Sequence, residues 1–524
     1  MDAAGQHPFA VAAAHPDRVA AIMADGGPAL TYGELADAVR RLAQVLFDHG
    51  LRPGDHLAVL LENRPEFFTT IWAGLSSGLY VTPVNWHLTA DEAAFIATDC
   101  GAKALVSSTT LGELAADTAA QCDDLAVALA VGGDAADATV AGLGGFVSFE
   151  HALATVPASL EPDDDRFDEC AGQWMFYSSG TTGRPKGILP GPVGAELGRP
   201  QPFCAMLTHL FGMSGASRYL SPAPLYHAAP AGWTSGAQCL GATVVVMEAF
   251  DPEGLLAAVE THRITHLQVV PTHLVRLLKL PEDVRNRYDT SSLQVVVHAA
   301  APCPVEVKRA VMEWLGPVVY EYYAGSEGNG FCVIGPDEWL EHPGSVGRSL
   351  QGPVHVTNAE GDEVPAGTDG QIWFESTRRW EYHGDPVKTA SAWDTERGWS
   401  TLGDVGHVDD EGYVYLTDRV SNMIISGGVN IYPREIEDLL IAHPAVLDVA
   451  VVGTPDAEMG EQVTAFVQPD PATTGSTTGI EALPDELIAY CRDHLAHFKC
   501  PREVRLLDDL PRLPTGKLLK RLLQ

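Results

Sequence analysis

The 524-residue sequence has no Cys-x-x-Cys pair among its nine cysteines, and the count is odd. That usage excludes a disulfide scaffold and fits a chain kept reduced. No apolar run approaches the ~20 residues that a membrane helix needs. The opening "MDAAGQHPFAVAAAHPDRVA" lacks the basic segment and apolar core of an export signal. A cytoplasmic protein with no integral membrane segment is therefore expected. Positive charge is scarce as well, with 33 Lys and Arg against 69 Asp and Glu, a net charge of −36. This excludes nucleic acid or an anionic membrane surface as the main partner, although donors in a pocket can still hold a small anion. There is no HExxH pattern either. "THRITH" sets His262 and His266 four residues apart, but it reads as a helix giving way to a strand rather than as a zinc site.

What is present is an alternation. "TYGELADAVRRLAQVLFDHGL" has helical spacing and ends on Gly50, "DHLAVLL" is strand-like, "PEFFTTIWAGLSSG" is helical and "AKALVSS" is again strand-like. The pattern resumes from "ATVVVMEAF" to "PVEVKRAVMEWLG". Such alternation predicts an α/β fold with a largely parallel sheet covered by helices. Between about 340 and 418, short runs such as "VHVTN", "GQIWFES" and "GYVYLTD" predict small antiparallel β structure. Residues 420–524 read as a compact α+β unit, with "PATTGSTTG" as a surface loop inside it.

The most informative stretch is "YSSGTTGRPKG", residues 177–187. It is not a Walker loop, because Lys186 follows Pro185, which has no N–H, and precedes Gly187 rather than Ser or Thr. It is a glycine-rich loop whose hydroxyls and N–H groups suit phosphate oxygens, with a lysine to add charge.

This loop resembles the phosphate loop of the adenylate-forming superfamily, and further matches follow in the order of that family. They are "PLYHAAP", "HAAAPCP", "EYYAGSEG", "GWSTLGDVG", "DRVSNMIISGGVNIYPREIE" and "PTGK", so the resemblance runs from "LTYGEL" to the end of the chain. It implies a large N-terminal domain of layered sheets and helices over residues 1–419, including a small β-barrel-like subdomain. A small mobile α+β C-terminal domain would follow over 420–524. It also implies ATP, Mg²⁺ and CoA as cofactors and co-substrates, and a small carboxylic acid as substrate.

The roles implied by the resemblance fall on matched positions. Ser178, Ser179, Gly180, Thr181, Thr182, Gly183 and Lys186 would hold the β and γ phosphates. Ser326 would contact phosphate and Glu327 would bind Mg²⁺, a hard ion that takes oxygen ligands. Tyr323 would stack on adenine with Ala300 and Ala301 beside it, while Asp404 and Arg419 would meet the ribose. Lys517 would bridge the carboxylate and the phosphate, and His227 matches a histidine at the mouth of the acid pocket. Gly427 and Gly428 would let the thiol arm of CoA approach closely. Cys303 reads as packing, since the attacking thiol belongs to CoA.

The match has departures. Ser421 stands where the hinge usually has Asp or Lys, Gln371 where Glu is common and Ala324 where Gly is common. The hinge change leaves open an enzyme specialised for one half-reaction, and a carrier protein remains an alternative acceptor. The pocket segments "HAAPAGW" and "HAAAP" offer no partner for an ammonium, which favours an aliphatic or alicyclic acid. The set "HAAAPCP", "EYYAGSEGNG" and "PGSVGR" resembles the fatty-acyl and steroid or bile-acid CoA ligase branch, which implies a fatty or steroid-like acid. Homodimerisation is compatible with the sequence.

Overall fold

The computed structural model describes residues 6–157, 167–178, 185–189, 191–375, 379–419, 422–426, 429–456, 459–471, 477–512 and 518–524. The chain packs as two compact units. One comprises Met1–Val269, Lys279–Val297 and Trp380–Pro386; the other comprises Val270–Leu278, His298–Arg379 and Val387–Gln524.

In the first unit, a six-stranded sheet runs in the order Val147–Ser148, Val127–Val131, Ala102–Ser108, His56–Val59, Tyr80–Pro83, Gln173–Trp174. Every pairing in it is parallel. A parallel sheet needs helical crossovers, and the sequence marks where they begin. Thr31 and Glu34 form a capping box at the start of helix Tyr32–Asp48, as do Thr89 and Glu92 at helix Ala90–Asp99. In each, the threonine hydroxyl accepts the backbone N–H three residues on, and the glutamate accepts the threonine N–H. A second group of strands in this unit pairs Val19–Met23, Thr243–Val246, Arg218–Ser221 and His266–Val269, all parallel, with Leu30–Thr31 antiparallel at its edge.

"THRITH" closes helix Pro252–His262 and opens strand His266–Val269. His262 meets the carbonyl of Ala24 through Nε2 at 3.0 Å, and His266 that of Phe211 at 2.8 Å. Each imidazole thus has its own backbone partner.

The second unit holds the antiparallel structure expected between 340 and 418. Its strands run Val319–Ala324, Phe331–Ile334, Ser345–Ser349, Val414–Arg419, Asp404–Val408, Gly370–Glu375, each antiparallel to the next, with Val354–Thr357 added to the last. Further along, the long hairpin Val446–Asp456 and Gly460–Pro469 carries helices Pro433–Ile441 and Thr477–His494. Ile436, Leu440, Leu483, Leu487 and Cys491 bury against Val449, Val451, Val463 and Ala465.

One reading needs correction here. The helix Thr477–His494 begins inside the stretch read as a loop and includes Pro484. Its Leu483, Leu487 and Cys491, spaced four apart, are at most 1% exposed. This burial outweighs the weak local propensity of Thr and Gly. The helix also stops before Phe498, which is 55% exposed.

Candidate active site

Asp404, at the start of strand Asp404–Val408, is the best-defined group of the site. Register sets it opposite Arg419 on the neighbouring strand. Its carboxylate accepts the Tyr323 hydroxyl at 2.5 Å on one oxygen and the Arg419 Nε–H at 2.8 Å on the other. Burial, followed by the Asp404 charge, holds the Tyr323 phenol well above its usual pKa, so it stays a donor. Asp404 in turn holds Arg419 charged more firmly than usual. A carboxylate offers about four acceptor positions. Two are used here, and those that remain suit a vicinal diol.

The Tyr323 ring packs against Phe374 at 5.9 Å between centroids, with Cys332 in the same cluster. Beyond the end of strand Val319–Ala324, the Gly328 N–H bonds back to the Gly325 carbonyl at 3.0 Å. Ser326 and Glu327 occupy the tip of this tight turn, the first exposed and the second half-buried. Hydroxyl and carboxylate are oxygen donors, and this donor set fits Mg²⁺. A Cβ on Gly325 would crowd the Glu327 carboxylate and the Asn329 side chain, so glycine lets both approach. Ala300 and Ala301 lie exposed after strand Val295–His298, and Ala300 has φ 71°.

In the first unit, Lys186 begins strand Lys186–Leu189 and pairs with Ser178 of strand Tyr177–Ser178. Its ammonium donates to Asp385 at 2.8 Å. His227 is the N-cap of helix Ala228–Cys239, and its carbonyl accepts the Ala231 N–H at 2.9 Å. The accessible side of this helix is small and apolar, made by Ala228, Ala229 and Gly232 beside His227. Trp233 turns the other way, 2% exposed among Phe203, Phe211 and Tyr219. It is core rather than pocket lining. Cys303 is buried, as its packing role requires, and burial pushes its thiol pKa up.

The structure therefore brings Tyr323, Asp404 and Arg419 into direct contact, with Ser326 and Glu327 on a turn three residues beyond the tyrosine. Ser179, Gly180, Thr181, Thr182, Gly183, Gly427, Gly428 and Lys517 lie outside the described residues, as does Ser421. Sequence reasoning missed Asp385, which is 199 positions from its lysine. It also missed the buried pair Lys308–Glu321 and the carboxamide of Asn329, which has no hydrogen-bond partner among the described residues. Nothing local in the sequence marks the first two. The glycines flanking Asn329 hint at close packing but name no partner.

The chain also matches known proteins along most of its length. The model of the AMP-binding enzyme family matches residues 9–378, and that of the AMP-binding enzyme C-terminal domain matches residues 435–517. The chain is 34% identical to a 3-[(3aS,4S,7aS)-7a-methyl-1,5-dioxo-octahydro-1H-inden-4-yl]propanoyl:CoA ligase of Rhodococcus jostii (strain RHA1), over 96% of this chain and 95% of that protein. It is 33% identical to a feruloyl-CoA synthase of an Amycolatopsis species, over 94% and 93% respectively. Among solved structures, ATP-bound MatB from Rhodopseudomonas palustris superposes with a TM-score of 0.79 at 27% identity, covering 99% of this chain and 98% of that one. With both family models matched in order along a chain of this fold, the protein belongs to the family of AMP-binding enzymes.

Proposed function

We propose that this protein is an ATP-dependent acid–CoA ligase acting on an apolar carboxylic acid. The acid carboxylate attacks the α-phosphate of ATP, giving an acyl-AMP and pyrophosphate, and the thiol of CoA then displaces AMP. The observation that carries the reading is Asp404, a buried carboxylate oriented by Tyr323 and Arg419 with acceptor capacity left for a ribose diol. Such preorganisation supplies positioning, which is most of what phosphoryl and nucleotidyl transfer asks of a protein.

Tyr323, Ala300 and Ala301 receive the adenine, Asp404 and Arg419 the ribose, and Lys186 with the loop 178–183 the terminal phosphates. Ser326 and Glu327 hold phosphate and Mg²⁺, which when bound offsets phosphate charge. Lys517 steadies the carboxylate against the α-phosphate, and Gly427 and Gly428 admit the thiol arm. His227 stands at the mouth of the acid pocket. We set the domain boundary at 419/420, within the stretch 379–434 that neither family model matches. The protein works in the cytoplasm. Among the described residues no helix is long and apolar enough to cross a membrane.

The acid is apolar because the accessible side of helix Ala228–Cys239 is small and uncharged. The relatives named for a fused-ring propanoyl group and for feruloyl point the same way, towards acids with a ring at the end of a short chain. The test is each half-reaction taken separately over a panel of fatty, aromatic and polycyclic acids. ATP–pyrophosphate exchange without CoA reads adenylation, and thioester formation from synthetic acyl-adenylates reads transfer. Activity in both with one acid class is expected. No exchange with any acid overturns the reading as a complete ligase. Transfer to a carrier protein but not to CoA replaces the acceptor.

A further inference from the structure

Two described residues other than glycine have positive φ, Arg263 and Ala300. Arg263 is explained, because it closes helix Pro252–His262 as a left-handed C-cap. Ala300 closes no helix and is exposed, so nothing outside presses it into a conformation that L-residues avoid. Such strain persists only where the surroundings over-determine it.

Two residues before Ala300, His298 joins a buried charge cluster that the catalytic reading does not use. Lys308, on helix Val305–Leu315, has a side chain 0% exposed, and its Nζ donates to Glu321 Oε2 at 2.8 Å. The Nε2 of His298 lies 3.4 Å from the same oxygen, without the alignment of a hydrogen bond. The Lys308 ammonium also sits 4.7 Å from the centre of the Trp339 ring. One carboxylate oxygen thus gathers a helix, a strand and the residue two before Ala300. Glu321 is itself two residues before Tyr323 on strand Val319–Ala324.

A buried ion pair is a poor stability device, since apolar residues of equal volume do as well or better. Its use is to be sought in position. We propose that Lys308, Glu321 and His298 are positioning residues, a buried brace that fixes Ala300 in its left-handed conformation and Tyr323 beside it, and so sets where the nucleotide base lies. This rests on the reading of Ala300 and Tyr323 as the base-binding residues.

Two variants of the full-length protein test it. Lys308→Met combined with Glu321→Leu removes both charges at similar volume, and Ala300→Gly removes the constraint itself. Each is assayed for melting temperature, equilibrium affinity for ATP and for GTP by calorimetry, and KM for ATP and for the acid in pyrophosphate exchange. The double variant is expected to keep its melting temperature, raise KM for ATP by about tenfold through base misplacement, leave KM for the acid unchanged and lose preference for ATP over GTP. Ala300→Gly is expected to melt no lower than the parent, yet to weaken ATP by about threefold through lost backbone restraint. Unchanged ATP affinity and base preference in Ala300→Gly overturns the proposal, whether or not the double variant folds. Failure of the unmodified protein to bind ATP overturns the nucleotide reading as well, and is told apart by appearing without any substitution.

Discussion

Replacing Asp404 with Asn isolates the charge at the centre of the site while keeping its shape. The amide has one acceptor oxygen for the two donors that now reach the carboxylate, Tyr323 and Arg419. Turned with its oxygen towards Arg419, the amide keeps both neighbours, because its NH2 then donates to the Tyr323 oxygen. The Arg419 side chain is 42% exposed, against 8% for Asp404. Water can therefore take over as partner to the guanidinium, and the ion pair contributes about 1 kcal/mol or less to folding. The proposed ribose contact is a different matter. Hydrogen bonds to a charged group contribute about 1.5–3 kcal/mol. At about 1.4 kcal/mol per tenfold, KM for ATP should rise by roughly 10- to 150-fold, while the melting temperature moves by a few degrees at most. Pyrophosphate exchange at saturating acid and varied ATP measures the first, and a thermal melt the second. A rise in KM below twofold would refute the assignment of Asp404 to the ribose. So would a loss of activity matched by a collapse of the melting temperature.

Stability should fall as pH drops from 6.5 to about 4. Burial, outweighing the favourable Glu321 charge, lowers the His298 pKa to about 4, so the unfolded chain takes up the proton first. The loss from this residue is on the order of 2 kcal/mol at pH 5. His7, at about 4, and His273, at about 3, act in the same direction. Asp438, raised to about 6 by burial, acts in the opposite direction and offsets part of this. Urea melts at pH 7 and pH 5 check the sign, and greater stability at pH 5 would contradict it. Gly347→Ala should destabilise the second unit by about 3 kcal/mol or more. Gly347 has φ 92°, and a Cβ there would run into the Val333 carbonyl across the sheet; soluble yield and melting temperature report it. Lys186→Met should raise KM for ATP at least tenfold. Asp385→Asn, which removes the charge from a part-exposed ion pair with Lys186, should change stability by less than about 1 kcal/mol and leave ATP binding equal or tighter, as titration would show.

The parts of the molecule legible in the sequence are those written in local patterns. The helix that gives out before Gly50 and the short apolar strands of the parallel sheet sit within a few residues of their own signals. Resemblance then supplied roles for residues that no pattern marks. Contacts made across long stretches of chain were not legible. The Lys186–Asp385 pair spans 199 positions and Tyr323–Asp404 spans 81. The onset of helix Thr477–His494 was hidden because burial of Leu483 and Leu487, rather than propensity, decides it.

The cysteines have a practical consequence. Eight of the nine are buried, and Cys170 is half-buried. Burial pushes the thiols of Cys100, Cys332 and Cys491 up to about 12, and Cys204, whose pKa the Cys239 hydrogen bond lowers, is 1% exposed and out of reach of a reagent. An aromatic disulfide reagent added to a working mixture should therefore colour with the freely exposed thiol of CoA and hardly at all with the protein. Because the reagent itself consumes the CoA thiol, it is added to aliquots taken at set times, and the fall in colour from one aliquot to the next counts acyl transfer on a background the folded chain itself keeps dark.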